Sequence, residues 1–212
     1  MAAHGPGAMR LPTTRIVLLS DTHLPALVRQ LDELGPECAA WLRDADLILH
    51  GGDVTHPAVL DWLESFAPVL AAEGNNDDFR DPRVKPRQYV EVQGWRIGMA
   101  HSLAPETRPL PEIAAHRFHE PVEIMVGGHT HLERIRHGDG YVLINSGSPI
   151  LPHHKETRLG TLAILDLTPS TLQAEVVVLG HTHGRPNPGR PHALSMTRDD
   201  LDSLRLARVL EP

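Results

Sequence analysis

Leu47-Ile48-Leu49-His50-Gly51-Gly52-Asp53 decides the fold: a short apolar run stops at two glycines and is followed at once by a carboxylate. A run of that length closed by glycine reads as a buried strand. In open α/β sheets the ligand site lies beyond the carboxyl ends of the strands, so an acid planted there is a candidate site residue. A single aspartate is weak evidence, because most are solvated or cap helices. Asp53 stands out because four other apolar runs end in residues that bind metals: Asp21-Thr22-His23, Gly74-Asn75-Asn76-Asp77, His101, and Gly128-His129-Thr130-His131.

On the N-terminal side of Asp53, residues 15–19 read as the first strand, followed by the Asp21/His23 loop and a helical stretch that Gly35-Pro36 interrupts. Pro36 suits the first turn of a helix through Cys38, Trp41 and Leu42. On the C-terminal side, His56-Pro57 opens a helix with Leu60, Leu63 and Phe66 on one face, and residues 69–72 form a third strand. Strand, helix, strand alternation predicts a partly parallel sheet. A loop rich in charge and proline follows over 77–87, then a hairpin of 89–92 and 95–99 turning at Gly94. Residues 111–118 suit a short helix, and 122–126 a strand that delivers His129 and His131. Two antiparallel pairs close the domain, 133–136 with 141–144 and 159–167 with 172–179. Two mixed sheets with helices outside would bury this many apolar strands.

The expected organisation is a disordered leader over 1–14, one domain over 15–180, a linker rich in proline and glycine over 181–194, and a helical tail over 195–212. Thr197 is placed to cap that last helix, whose Leu201, Leu204 and Leu206 seek a surface on this domain or on another subunit of a homo-oligomer. A chain of 212 residues suffices for one domain with a substantial core. Its net charge of -7 argues against a broad electrostatic grip on nucleic acid. Cys38 is the single cysteine, so no internal disulfide forms. No apolar stretch approaches a membrane span, and the first nine residues lack the apolar core of a signal peptide. A cytoplasmic protein is expected.

Three oxygen ligands (Asp21, Asp53, Asn75) and four imidazoles (His23, His101, His129, His131) exceed what one tetrahedral ion needs, so they suggest two ions. In extended chain, residues two apart point to one side, which would aim Asp21 with His23, and His129 with His131, at one place. A mixed nitrogen and oxygen set without thiolate suits Mn, Fe, Zn, Co or Ni rather than Ca. Asp53 is the choice for a bridging carboxylate. Two such ions acidify a bridging water and neutralise a phosphoryl oxygen, making in-line attack on a phosphoester the natural reaction.

In these ordered blocks the chain resembles the calcineurin-like metallophosphoesterases: Asp-x-His at 21 and 23, Gly-Asp at 52 and 53, Gly-Asn at 74 and 75, His101, and Gly-His-x-His over 128–131. Asn145-Ser146-Gly147-Ser148-Pro149 resembles the turn that follows in the small single-domain branch. The resemblance implies a four-layer α/β/β/α sandwich. It also implies that Asp21, His23, Asp53 and His131 hold one ion and Asp53, Asn75, His101 and His129 the other, with Mn2+ expected first. Many members carry His after Gly-Asn, in contact with the substrate and able to protonate the leaving group. Here that position is Asn76, which can hydrogen-bond a phosphoryl oxygen but is no acid. Asn76 and Asp77 are therefore the candidate catalytic residues, Asn76 steadying the phosphate and Asp77 supporting the ligands. The expected activity is a phosphodiesterase on a small phosphoester with an undemanding leaving group. The alternatives are a phosphomonoesterase or nuclease, or a metal-binding scaffold without catalysis, as in the retromer subunit of this fold.

Around these residues, Arg80, Arg83, Lys85 and Arg87 form a basic run beside the expected rim, with Arg83 the candidate to draw in an anionic substrate. His50 is read as packing near the site, and His153-His154 as able to overhang it. Gly180-His181-Thr182-His183 repeats the ligand tetrapeptide but opens into the linker, and is read as surface.

Overall fold

The computed structural model describes residues 12–24, 34–154 and 156–210. The expected helical stretch before Gly35, and most of the expected leader, lie outside the described residues. Strands β1 (Thr14–Leu19), β2 (Leu47–His50) and β3 (Val69–Ala72) run parallel, with α1 (Gly35–Leu42) and α2 (Pro57–Glu64) in the connections. Pro36 and Pro57 sit in the first helical turns, where no backbone N–H is needed, and His56 caps α2 by accepting from Ala58 N–H at 3.1 Å. Residues 77–87 are not all loop: β4 (Val84–Lys85) extends the parallel edge beside β3.

The hairpin β5 (Gln88–Val92) and β6 (Trp95–Met99) turns through Gln93 and Gly94 at φ 52° and 78°, the left-handed pair that a tight hairpin requires. After α3 (Leu110–Arg117) come β7 (Ile124–Gly127), β8 (Glu133–Gly138) and β9 (Tyr141–Ser146), then β10 (Thr161–Leu167) and β11 (Thr171–Val178). One sheet has the order β11-β10-β1-β2-β3-β4, and the other β5-β6-β7-β9-β8.

Alternation along the strands divides the core. Ile16, Leu18 and Leu49 face Ile97, Ile124, Val126, Val142 and Ile144 between the sheets. Their neighbours Val17, Leu19 and Ile48 pack outward on Cys38, Leu42, Leu60 and Leu63 of α1 and α2. Met125 and Leu143 face Leu110, Ile113 and Ala114 of α3 on the far side. The result is the expected α/β/β/α sandwich of two mixed sheets. Among the described residues no helix is long and apolar enough to cross a membrane.

The C-terminal segment differs from expectation. β12 (His192–Thr197) joins the first sheet antiparallel to β11, so the sheet does not stop near residue 180. Leu194 and Met196 alternate inward with Ser195 and Thr197 outward. That period of two is hidden by the surrounding proline, glycine, histidine and arginine. The helix α4 (Arg198–Leu210) begins as expected at Thr197: its Oγ1 accepts from Asp200 N–H at 3.2 Å while Asp200 Oδ2 accepts from Thr197 N–H at 2.8 Å. Leu201 of this helix is buried in the core between the sheets, so the helix docks on its own domain.

Candidate metal centre

β1, β2, β3, β6 and β7 all end at one rim, and the loops leaving them carry the expected ligands. The local backbone is not extended there. Asp21, His23, Asp53, His129 and His131 have φ of 57°, 49°, 57°, 69° and 53°. Left-handed backbone costs a residue with a side chain about 1–3 kcal/mol, and persists where surroundings over-determine it. Those surroundings are hydrogen bonds between the loops: Asp21 N–H to Gly52 O at 2.9 Å, His23 N–H to Asp53 O at 3.0 Å, and Ser148 Oγ to Asp21 O at 2.8 Å. The paired ligands therefore converge through two successive kinks. Gly52, at φ 98°, must be glycine, since a Cβ there would lie 2.7 Å from His101 Nδ1.

The donor atoms crowd together. His23 Nε2 lies 3.1 Å from His131 Nε2 and 3.6 Å from Asp53 Oδ2, and Asp21 Oδ1 lies 3.3 Å from His131 Nε2. His101 Nε2 lies 3.4 Å from Asp53 Oδ2 and 3.1 Å from Asn75 Oδ1. His129 Nδ1 is 3.0 Å from the same Asn75 oxygen and 3.3 Å from His101 Nε2. Ligands held at ordinary metal distances are separated by roughly 3.0–3.4 Å from one another. Tautomers sharpen the fit. His101 Nδ1 faces Gly51 O at 2.8 Å and His131 Nδ1 faces Leu151 O at 2.7 Å, and a carbonyl only accepts. Each Nδ1 is thus the donor, leaving both Nε2 lone pairs turned into the centre in the neutral rings. Potential ligand atoms of Asp21, His23 and His131, and of Asp21, Asp53 and His101, lie within 4.8 Å of one another and form two groups suited to a cation. The residues fit bound metal.

Electrostatics point the same way. Burial alone would raise the Asp53 carboxyl, but the hydrogen bond and charge of His101 and the Asn76 N–H hold it well below the usual carboxylate range. Asp21 is likewise held low by His131 against its burial. Burial opposes protonation of His101 and His131, yet Asp53 and Asp21 respectively raise them, while burial lowers His23. Two anions under the rim make the centre a cation trap.

Around the ligands, Asp77 Oδ2 accepts from Asp53 N–H at 3.1 Å and Gly74 N–H at 2.8 Å, and its Oδ1 from Thr55 N–H at 2.7 Å. It ties the β2 and β3 loops together. Asn76 does the same from its other side, donating from N–H and Nδ2 to Asp53 Oδ1 and Oδ2, both at 2.8 Å. In this arrangement its amide grips the carboxylate. Arg83 does not face the centre. Its guanidinium is 17% exposed and bound by Asp81, Asp61 and Glu64 at 2.6–2.8 Å, so its charge is used within the fold. The basic residue that reaches the metal rim is Arg87, joined by Arg117 from the end of α3: both line a cleft of about 450 Å³ with Asn75, His101 and His129.

The turn at the end of β9 and the two histidines beyond it support the site. Asn145 Nδ2 reaches Gly128 O, Thr130 Oγ1 and Glu106 Oε1 at 2.9, 3.0 and 2.7 Å, which holds the loop of His129 and His131. His154 overhangs the centre, its ring stacked on His131 with centroids 3.6 Å apart, and His153 Nε2 meets Glu133 Oε2 at 2.9 Å. His181 and His183 are exposed and take no part.

Residues 14–170 match the calcineurin-like phosphoesterase superfamily domain, and the chain belongs to that family. A probable metallophosphoesterase of Methanothermobacter thermautotrophicus is 29% identical over 165 residues, covering 78% of this chain and 92% of that protein. Among solved structures, vacuolar protein sorting 29 of Cryptosporidium parvum superposes with a TM-score of 0.68 at 17% identity, over 87% of this chain and 97% of that one. The Entamoeba histolytica counterpart, solved in complex with Zn2+, gives 0.67 at 17% identity over 87% and 99%.

Proposed function

We propose that this protein is a phosphodiesterase that works with two divalent transition-metal ions, manganese first among the candidates. Asp21, His23, Asp53 and His131 would hold one ion, and Asp53, Asn75, His101 and His129 the other. The observation that carries the reading is the convergence of their donor atoms, with ring nitrogens of His101 and His129, and of His23 and His131, only 3.3 and 3.1 Å apart. When bound, such ions supply Lewis acidity toward a phosphoryl oxygen and a nucleophilic water at neutral pH.

The chain's own residues set the rest. Asn76 and Asp77 orient Asp53 and its loop, as positioning groups, through the hydrogen bonds at 2.8 and 3.1 Å. Asn76 offers no proton, so the leaving group must depart with little protonation, and a diester of an acidic alcohol meets that demand better than a monoester. Asp53→Ala removes the shared carboxylate. The test is hydrolysis of a nitrophenyl phosphodiester and its monoester by chelator-treated, then manganese-reloaded protein, beside Asp53→Ala. Metal-dependent diester turnover that disappears in the variant supports the proposal; monoester turnover alone shifts it to a phosphomonoesterase.

The fold-level likeness to vacuolar protein sorting 29, TM-score 0.68, favours a second reading as a metal-holding interaction scaffold. Metal occupancy at both positions without turnover of either ester would select it.

A further inference from the structure

Resting on the phosphodiesterase reading, we propose that Arg87 and Arg117 form a second anion subsite beside the metal centre, so that the preferred substrate carries a second phosphate in addition to the scissile one. The two arginines come from distant parts of the sequence, the approach to β5 and the last turn of α3, and meet on the cleft that Asn75, His101 and His129 also line. Arg87 Nε donates to Arg117 O, and Arg117 Nη2 donates to Ala104 O at 2.6 Å. Both acceptors are neutral carbonyls. They fix the guanidinium groups without compensating their charge.

Most other partly buried arginines are matched to acids: Arg15 to Asp166, Arg83 to Asp81, Arg96 and Arg198 to Glu123, and Arg134 to Glu106. Arg136 is held by the carbonyls of Glu106 and Arg108 instead, but it does not line the cleft beside the metal centre. Among the described residues neither Arg87 nor Arg117 has such a pair, although both are half-buried. Two anchored guanidinium groups with no acid partner, side by side on one cleft, leave their charge open to an anion, and their planar forks suit phosphate. Glu73 is the one carboxylate on the cleft; it is exposed and lies beyond ion-pair distance of both arginines. At about 450 Å³ the cleft also has the size of a site for a small organic ligand. The centre would take the scissile phosphate, and the arginines the second one.

The experiment uses the full chain loaded with manganese. Calorimetry compares ethyl phosphate with the bisphosphates of ethylene glycol, propanediol and butanediol, which vary the spacing between the two anions. At least one bisphosphate should bind about tenfold tighter than the monophosphate, as expected for charge-assisted hydrogen bonds. Arg117→Gln and Arg87→Gln should each collapse that ratio to about one, and Arg117→Lys, a point charge without the fork, should restore part of it. Manganese stoichiometry on each variant establishes that the centre is intact. No preference at any spacing, or a preference that survives both Gln substitutions, overturns the proposal. Diester turnover on the same preparations separates the two readings. Turnover without the arginine-dependent preference keeps the phosphodiesterase and rejects the subsite, whereas the preference without turnover keeps the anion subsite and rejects the phosphodiesterase.

Discussion

Gly128-His129-Thr130-His131 and Gly180-His181-Thr182-His183 are the same four residues just past the ends of two strands, β7 and β11. In the first copy His131 is 1% exposed, both histidines adopt left-handed backbone, and His129 N–H donates to Asp21 Oδ2 at 2.9 Å. In the second, both histidines are exposed and neither is left-handed. His181 Nδ1 accepts from Asn187 N–H at 2.9 Å, and Thr182 Oγ1 from Leu159 N–H at 2.8 Å. β11 is antiparallel to β10, which is antiparallel to β1, so both copies leave the sandwich at the same rim. The second is offset from β1 by two strand positions, roughly 10 Å. It is thereby separated from Asp21 after β1, and by one strand position more from Asp53 after β2. What the neighbouring strand ends bring to a tetrapeptide decides whether its histidines join a convergent donor set.

The largest expected effect comes from adding one methyl group to each copy. A Cβ at Gly128 would lie 1.7 Å from Ser20 Oγ and 2.7 Å from Asp21 Oδ2, while at Gly180 it would meet nothing within 4 Å. Ser20 Oγ donates to that Asp21 oxygen at 2.6 Å, so neither atom gives way freely. Gly128→Ala should therefore lose about 2–3 kcal/mol of stability and most of its metal affinity. Gly180→Ala meets only the strain of its φ of 96°, about 1 kcal/mol, and should keep its metal affinity. Urea midpoints and zinc calorimetry on both variants make the comparison. Equal losses would mean that the rim, and not the packing at Gly128, distinguishes the two copies.

How far the sequence carried this contrast depends on the interaction. The strand ends and the donor residues that converge beyond them were legible because apolar runs closed by glycine are local patterns, as at Leu47 to Asp53. Asn145-Ser146-Gly147-Ser148-Pro149 also proved informative, since Asn145 and Ser148 hold the ligand loops. The left-handed conformation of Asp21 or His129 was not legible, because outside glycine residue type biases it only weakly and it is imposed here by hydrogen bonds across loops. Arg83 looked like a free cation because two of its partners, Asp61 and Glu64, are about twenty residues away in sequence, although Asp81 stands only two residues before it. Arg117 was missed for the converse reason: nothing near it in the sequence links the end of α3 to the centre. β12 escaped because its alternation spans six residues inside a segment whose composition reads as linker.

Burial separates the two rim positions by pH as well. His50 is fully buried beneath the first, between Thr22 Oγ1 and Gly52 N–H, both at 3.2 Å. Burial lowers its pKa from 6.5 to about 4. Above its unfolded value of 6.5 the ring is neutral in both states; as the pH falls below it the unfolded chain takes up a proton that the folded chain refuses. Stability is lost through that window down to about 4, on the order of 3 kcal/mol from this residue. In His50→Gln the contribution should be missing. Urea unfolding of metal-free parent and variant at about pH 7.5 and about pH 4.5 isolates it as a difference, cancelling the opposite contributions of His101 and His131. Parallel pH profiles would remove His50 from the account.

The smallest effect belongs to the second copy itself. Without His181 the chain loses an acceptor for Asn187 N–H on an exposed segment, where water replaces it, so His181→Ala with His183→Ala should cost no more than about 1 kcal/mol. Asn187 still donates from Nδ2 to Gly160 O at 2.8 Å, which keeps the segment on β10. Metal stoichiometry and diester turnover of the double variant should therefore match the parent within about twofold, the margin left by surface substitutions away from a site. Metal analysis after dialysis is the decisive readout, because an exposed His-x-His pair binds metal weakly and releases it, whereas ligands backed by buried carboxylates retain it. A lower stoichiometry in the double variant would make the second tetrapeptide a metal site in its own right and break the contrast between the copies.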